Sequence, residues 1–121
     1  MPPVKKKSDD LKLVKACAKL TLDKKAEDVV ILDLRELNGP AQFFLVCSGQ
    51  SDPQIKAIAN SIIQGMREDG QVSPFGYEGS SSSQWIILDY GIVMIHVMHS
   101  DKRKFYRLEE LWGDAKRIVV K

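Results

Sequence analysis

Cysteine is scarce in this chain: there are two among 121 residues, Cys17 and Cys47, with neither CxxC spacing nor a neighbouring histidine. That excludes a disulfide-stapled scaffold and argues against a zinc site or a redox pair, so reduced thiols are the simplest expectation. Charge of one sign is lacking too, because 18 Lys and Arg nearly cancel 16 Asp and Glu, leaving +2. A protein held on nucleic acid by roughly 6–10 phosphate contacts ordinarily carries a denser basic excess, so little or no direct nucleic-acid contact is expected. No apolar run reaches the length of a membrane helix, and the start MPPVKKKSDD has basic residues with no apolar segment behind them. The expectation is a cytoplasmic protein without membrane contact. Its length suits one domain with a core that needs neither disulfide nor metal. We expect a flexible basic N-terminus over residues 1–8 and a single domain over 9–121.

What the chain does have is concentrated between Gln84 and Trp112, a stretch that holds both tryptophans and both histidines. Asp89-Tyr90-Gly91 interrupts two apolar runs, Trp85 to Leu88 and Ile92 to Met98, and Gly91 supplies the positive φ that a tight reversal needs. A hairpin follows. With Tyr90 and Gly91 as a two-residue loop, Asp89 lies opposite Ile92, Ile87 opposite Met94 and Trp85 opposite His96. One face then carries Ile86, Leu88, Val93, Ile95 and Val97 and must be core. The other is mixed, with Trp85, Ile87, Asp89, Ile92, Met94, His96 and Met98. A three-residue loop with a bulge would instead send the second strand's set to the opposite face. Two readings of the mixed face stand side by side: the C-terminal helix covers it as ordinary core, or it is a partner-binding surface anchored by Trp, Tyr and Met.

Along the rest of the chain, Ser8, Asp9 and Asp10 open a helix carrying Leu11, Val14 and Ala18 and ending near Asp23. Val29 to Leu34 and Phe43 to Ser48 read as strands. The connection through Asn38-Gly39-Pro40 is too short for a helical crossover, so the two are antiparallel neighbours. Asp52-Pro53 starts a second helix with Ile55, Ile58, Ala59, Ile62 and Met66 in one stripe ending before Gly70. Ser73 to Tyr77 reads as a short strand, Ser80 to Ser83 as a polar loop, and Asp101 as the cap of a last helix carrying Phe105, Leu108 and Trp112. The order αββαβββα predicts an α/β fold, a mixed five-stranded sheet flanked by helices.

Chemical motifs are sparse. Ser48-Gly49-Gln50-Ser51-Asp52 is a strand-to-helix turn without the GxxxxGK[ST] spacing, so helix capping is preferred over phosphate binding. Asp33 and Asp89 are single carboxylates, not a metal-binding pair. His96 and His99 are three apart on one strand, on opposite faces, and cannot serve one ion. The cluster Lys102, Arg103, Lys104 and Arg107 reads as a solvated helix face with i,i+4 pairs to Glu109 and Glu110. No catalytic residue, cofactor or metal ligand is expected.

Lys24 to Val30 leading to Asp33-Leu34, then Phe44 to Gly49 with Ser51-Asp52, Glu78-Gly79, Trp85 to Gly91, Val93 to His96 and Arg103 to Trp112 together resemble the ribosomal silencing factor family, also called Iojap-like. The resemblance runs from about Leu11 to Trp112, leaving Ile118 to Lys121 outside the clear match. It implies a nucleotidyltransferase-like topology without the catalytic carboxylates. It also implies a translational repressor, not an enzyme, that binds ribosomal protein uL14 on the large subunit and blocks joining of the small subunit when nutrients are limiting. The alternative is a nucleotidyltransferase-like enzyme or nucleotide-binding module. Carried onto matching positions, the uL14-binding residues are Trp85, Asp89, Tyr90, His96, Met98, Arg103 and Tyr106, with Trp112 either interface or core. One departure is Gln42, where many members have Asp. Monomer and homodimer are both left open.

Overall fold

The computed structural model describes residues 7–70, 72–79 and 84–120. Helix α1 (Lys7–Leu22) is followed by antiparallel strands β1 (Glu27–Asp33) and β2 (Phe43–Gly49), then α2 (Asp52–Gly70) and strands β3 (Gly76–Glu78), β4 (Trp85–Asp89) and β5 (Val93–His99). Two short helices, α3 (Ser100–Tyr106) and α4 (Leu108–Leu111), precede a last strand, β6 (Lys116–Val119). The sheet order is β3-β4-β5-β2-β1-β6, with β2 and β5 parallel and every other pairing antiparallel. A parallel pair needs a long crossover, and α2 with the β3–β4 hairpin supplies it.

Each face of this sheet has its own apolar layer. On one side Ile31, Phe43, Leu45, Ile86, Leu88, Val93, Ile95 and Val97 meet α1 through Val14, Cys17 and Ala18. The α2 stripe of Ile55, Ile58, Ala59, Ile62 and Met66 completes that layer. The two helices approach closely where Gly65 faces Leu20: a Cβ built on Gly65 would stand 2.5 Å from Leu20 Cδ2. On the other side Leu32, Leu34, Phe44, Val46 and Met98 are capped by Leu108, Ala115 and Trp112. Strand β2, central and covered on both faces, is buried along its whole length, as expected for a strand without a solvent face.

The expected α/β class and mixed sheet are borne out, with two corrections. The sheet has six strands, because Lys116–Val119 pairs antiparallel with β1 (Ile31 with Ile118, Asp33 with Lys116). The signal was present in the β-branched run Ile118-Val119-Val120 after the Gly113-Asp114 turn, but a strand this short is specified by the edge it covers more than by its own sequence. The last helix is broken. Arg107 takes a left-handed conformation, φ 50° and ψ 54°, which ends α3 and redirects the chain into α4. Helix α1 begins at Lys7, so Ser8, Asp9 and Asp10 are in its first turn; residues 1–6 of the expected tail, and the Ser80 to Ser83 loop, lie outside the described residues.

Candidate partner-binding surface

The hairpin register differs from the two-residue-loop expectation by two positions: Asp89 faces Met94, Ile87 faces His96 and Trp85 faces Met98. A shift of two is the smallest that leaves every side chain on its original face. The turn is built around Gly91 at φ 81°, whose N–H donates to Asp89 Oδ1 at 2.8 Å, while the Tyr90 N–H donates to the Val93 carbonyl. The sorted faces therefore stand for every residue but Ile92, which falls in the turn and packs against the layer under α1 and α2; the mixed face is the one shared with α3 and α4. The helices cover only part of it. Met98 and His96 are buried, Trp85 is half-buried, and Ile87, Asp89 and Met94 remain partly open.

Aromatic rings bind this face to the helices. The Trp85 indole N–H donates to His96 Nδ1 at 3.1 Å, and the Trp85 ring sits 4.9 Å from Tyr106 of α3. Below it, His96 lies against Phe44 at 4.6 Å, and Phe44 meets Trp112 edge-on at 5.9 Å. Burial drives the His96 pKa down to about 4, so the ring is neutral at physiological pH. Its Nε2 is buried with no hydrogen-bond partner among the described residues. The outer rim is Phe105, 78% exposed and edge-on to Tyr106, itself 47% exposed.

Local chemistry sets where α3 stands. Its N-cap is His99, whose Nδ1 accepts the Asp101 N–H at 3.2 Å and whose Nε2 lies 3.1 Å from the Gln50 carbonyl. An Nδ1 that accepts leaves Nε2–H to donate, which ties the start of α3 to the β2–α2 turn. Arg103 points inward with its side chain 10% exposed, donating through Nε to Glu109 at 3.3 Å and through Nη1 to Ser48 Oγ at 2.9 Å. It thus joins α3, α4 and β2. The expected solvated face survives only in part: Arg107 pairs with Glu110 in solvent, whereas Arg103 is a largely covered strut. Since Arg107 breaks the helix, Leu108 and Trp112 turn into the core while Phe105, expected on the same stripe, is left in solvent.

The other candidate chemistries are absorbed by local structure. Asp33 is held bidentately by Arg35 at 3.0 and 2.8 Å, which keeps its carboxyl below the usual range. Asp89 caps its own turn. Ser51 Oγ accepts the Gln54 N–H at 3.2 Å and Gln54 Oε1 accepts the Gln50 N–H at 2.7 Å, so the β2–α2 turn is a capping arrangement and Ser48 serves Arg103. Among the described residues no three His, Cys, Asp or Glu converge as metal ligands. Cys17 and Cys47 are buried, and burial pushes both thiols up to about 12. A cleft of about 660 Å³ beside α3 is lined by Arg103, Lys104, Arg107 and Arg117, but Asp28, Glu109 and Glu110 offset most of that charge.

Of the residues expected to meet a partner, the structure groups Trp85, Asp89 and Tyr106 on or beside one partly open surface. His96 and Met98 lie beneath it, and Arg103 braces it from within. Tyr90 is on the opposite face, 4% exposed in the layer under α1 and α2. Its place opposite Val93, on the helix-covered face, follows from the two-position register shift. Trp112 packs on the core layer. Phe105, Ile87 and Met94 complete the open surface: Ile87 and Met94 belong to the mixed face read from the sequence, whereas Phe105, expected on the packed stripe of the last helix, is exposed by the helix break.

Fold and surface together describe a small α/β protein whose distinctive feature is an aromatic platform built on a half-covered sheet. The family model described as "Ribosomal silencing factor during starvation" matches residues 6–121. The ribosomal silencing factor RsfS of Bacillus subtilis is 42% identical over 104 residues, 85% of this chain and 86% of that protein. That of Halalkalibacterium halodurans is 41% identical over 98 residues, 81% and 83% of the two chains. A solved structure from Chromobacterium violaceum superposes with a TM-score of 0.80 at 36% identity, over 85% of each chain. The chain belongs to the ribosomal silencing factor family, and the family match reaches through β6 to the last residue.

Proposed function

We propose that this protein represses translation by docking on ribosomal protein uL14 of the large subunit and excluding the small subunit from that face. The carrying observation is the platform of Trp85, Tyr106 and Phe105 beside the open strand positions Ile87, Asp89 and Met94. An amphipathic aromatic cluster held by a rigid sheet suits a hot spot, and covering about 800 Å² of one partner is enough to remove a subunit bridge without catalysis. Family membership supports the ribosome as target. The near-neutral net charge supports a contact made to protein more than to RNA.

The test is co-sedimentation with separated subunits together with the yield of joined ribosomes in a purified system. Binding to large but not small subunits, with a fall in joined ribosomes, is expected. Trp85→Ala should weaken binding by about 2 kcal/mol, roughly thirty-fold. Equal binding to both subunits, or full joining at saturating protein, defeats the reading.

A further inference from the structure

The oddity of the platform is the residue under it. His96 sits 4% exposed in an otherwise apolar layer with Phe44, Met98 and Leu32, and one of its two ring nitrogens has no hydrogen-bond partner among the described residues. A buried donor without a partner is destabilising, and a leucine or phenylalanine would suit the layer better. What neither could do is accept the Trp85 indole N–H, which His96 Nδ1 takes at 3.1 Å across a diagonal of the β4–β5 ladder. That bond fixes the tautomer: Nδ1 accepts, so Nε2 bears the proton and is the atom left unpartnered.

We propose that His96 is a positioning residue for the platform, sacrificing stability at its own site to hold the Trp85 indole in one orientation against Tyr106. This rests on the reading of Trp85 as an anchor for the partner. An indole free to rotate about χ1 and χ2 must lose that freedom on docking, whereas one already tethered at its N–H and stacked at 4.9 Å on Tyr106 has little left to lose. Because His96 is buried, it acts through Trp85 and not by touching the partner.

Two substitutions separate positioning from simple packing. His96→Leu removes the acceptor together with the unpartnered N–H; His96→Asn places an amide oxygen close to where Nδ1 stands. Each is measured for melting temperature, for the Trp85 indole N–H signal and its hydrogen-exchange rate in the free protein, and for affinity toward isolated large subunits. The leucine variant should melt at or above wild type, yet exchange its indole proton faster and bind about five-fold more weakly, the share of one hydrogen bond. The asparagine variant should recover the indole signal and bind within about two-fold of wild type. The inference is overturned if the leucine variant binds like wild type, if asparagine and leucine weaken binding alike, or if both variants lose the fold. The indole signal is read without any ribosome, so a wild-type protein that shows the tethered indole but never sediments with large subunits would sink the docking reading and leave the tether intact.

Discussion

Two buried side chains show how a position's chemistry is decided by what surrounds it. His96 is neutral in the folded protein because burial lowers its pKa to about 4, whereas in the unfolded chain it titrates near 6.5. As pH falls from about 6.5 the unfolded chain takes up a proton that the folded protein refuses, so stability is full above that pH and declines down to about 4, by up to roughly 3 kcal/mol. Thermal melts across that range should show the decline in wild type, and a shallower one in His96→Leu. The difference between the two curves isolates His96, and parallel curves would refute the assignment. Tyr90 makes the complementary case. An aromatic residue in an acid-glycine turn reads as a surface feature, yet burial beneath the helices makes it core and pushes its phenol up to about 12.

Among the elements, α3 and α4 carry the most consequence for their size. Neither is long enough to be stable alone, and both depend on what pins them to the sheet. Arg103 is that pin, a nearly buried guanidinium shared by Glu109 and Ser48. Arg103→Ala should cost about 1–3 kcal/mol, because Glu109 and Ser48 lose a charged donor and α3 loses its strut. Hydrogen exchange should find the loss concentrated in α3 and α4, with α1 and α2 protected as before. Arg103→Lys should rescue little, since one ammonium cannot reproduce the spread of the guanidinium donors. Uniform loss of protection across the sheet would mean Arg103 is not a local brace.

For the molecule as a whole, the sheet is closed at one side by β6, four residues that cover the edge of β1. Removing residues 116–121 would bare the backbone of β1 and strip Ile118 and Val120 from the layer they pack against. An exposed β1 edge next to a fully buried β2 is a template for strand pairing between molecules. The truncated protein is expected to melt at a lower temperature and to form larger species in light scattering at concentrations where the full chain does not. Unchanged melting and scattering would show β6 to be ornamental to the fold.

Much was legible in the residues themselves. The α2 stripe, the β1–β2 pairing and the core face of the hairpin are consequences of local period and turn chemistry, which operate over a few residues and need no tertiary partner. The mixed character of the second hairpin face was equally plain, as were Trp85 and Asp89 on it; Tyr106 came in only through the family resemblance. What the pattern could not decide was how much of that face remained open, since two readings of one alternation differ only in what packs on top. That depended on Arg107 breaking the last helix, a left-handed turn at a non-glycine residue that no local propensity announces. The break sends Leu108 and Trp112 inward and leaves Phe105 and Tyr106 at the rim. Strand β6 and the inward reach of Arg103 are of the same kind: short segments and long side chains take their roles from partners distant in sequence, and only the folded chain brings those partners within reach.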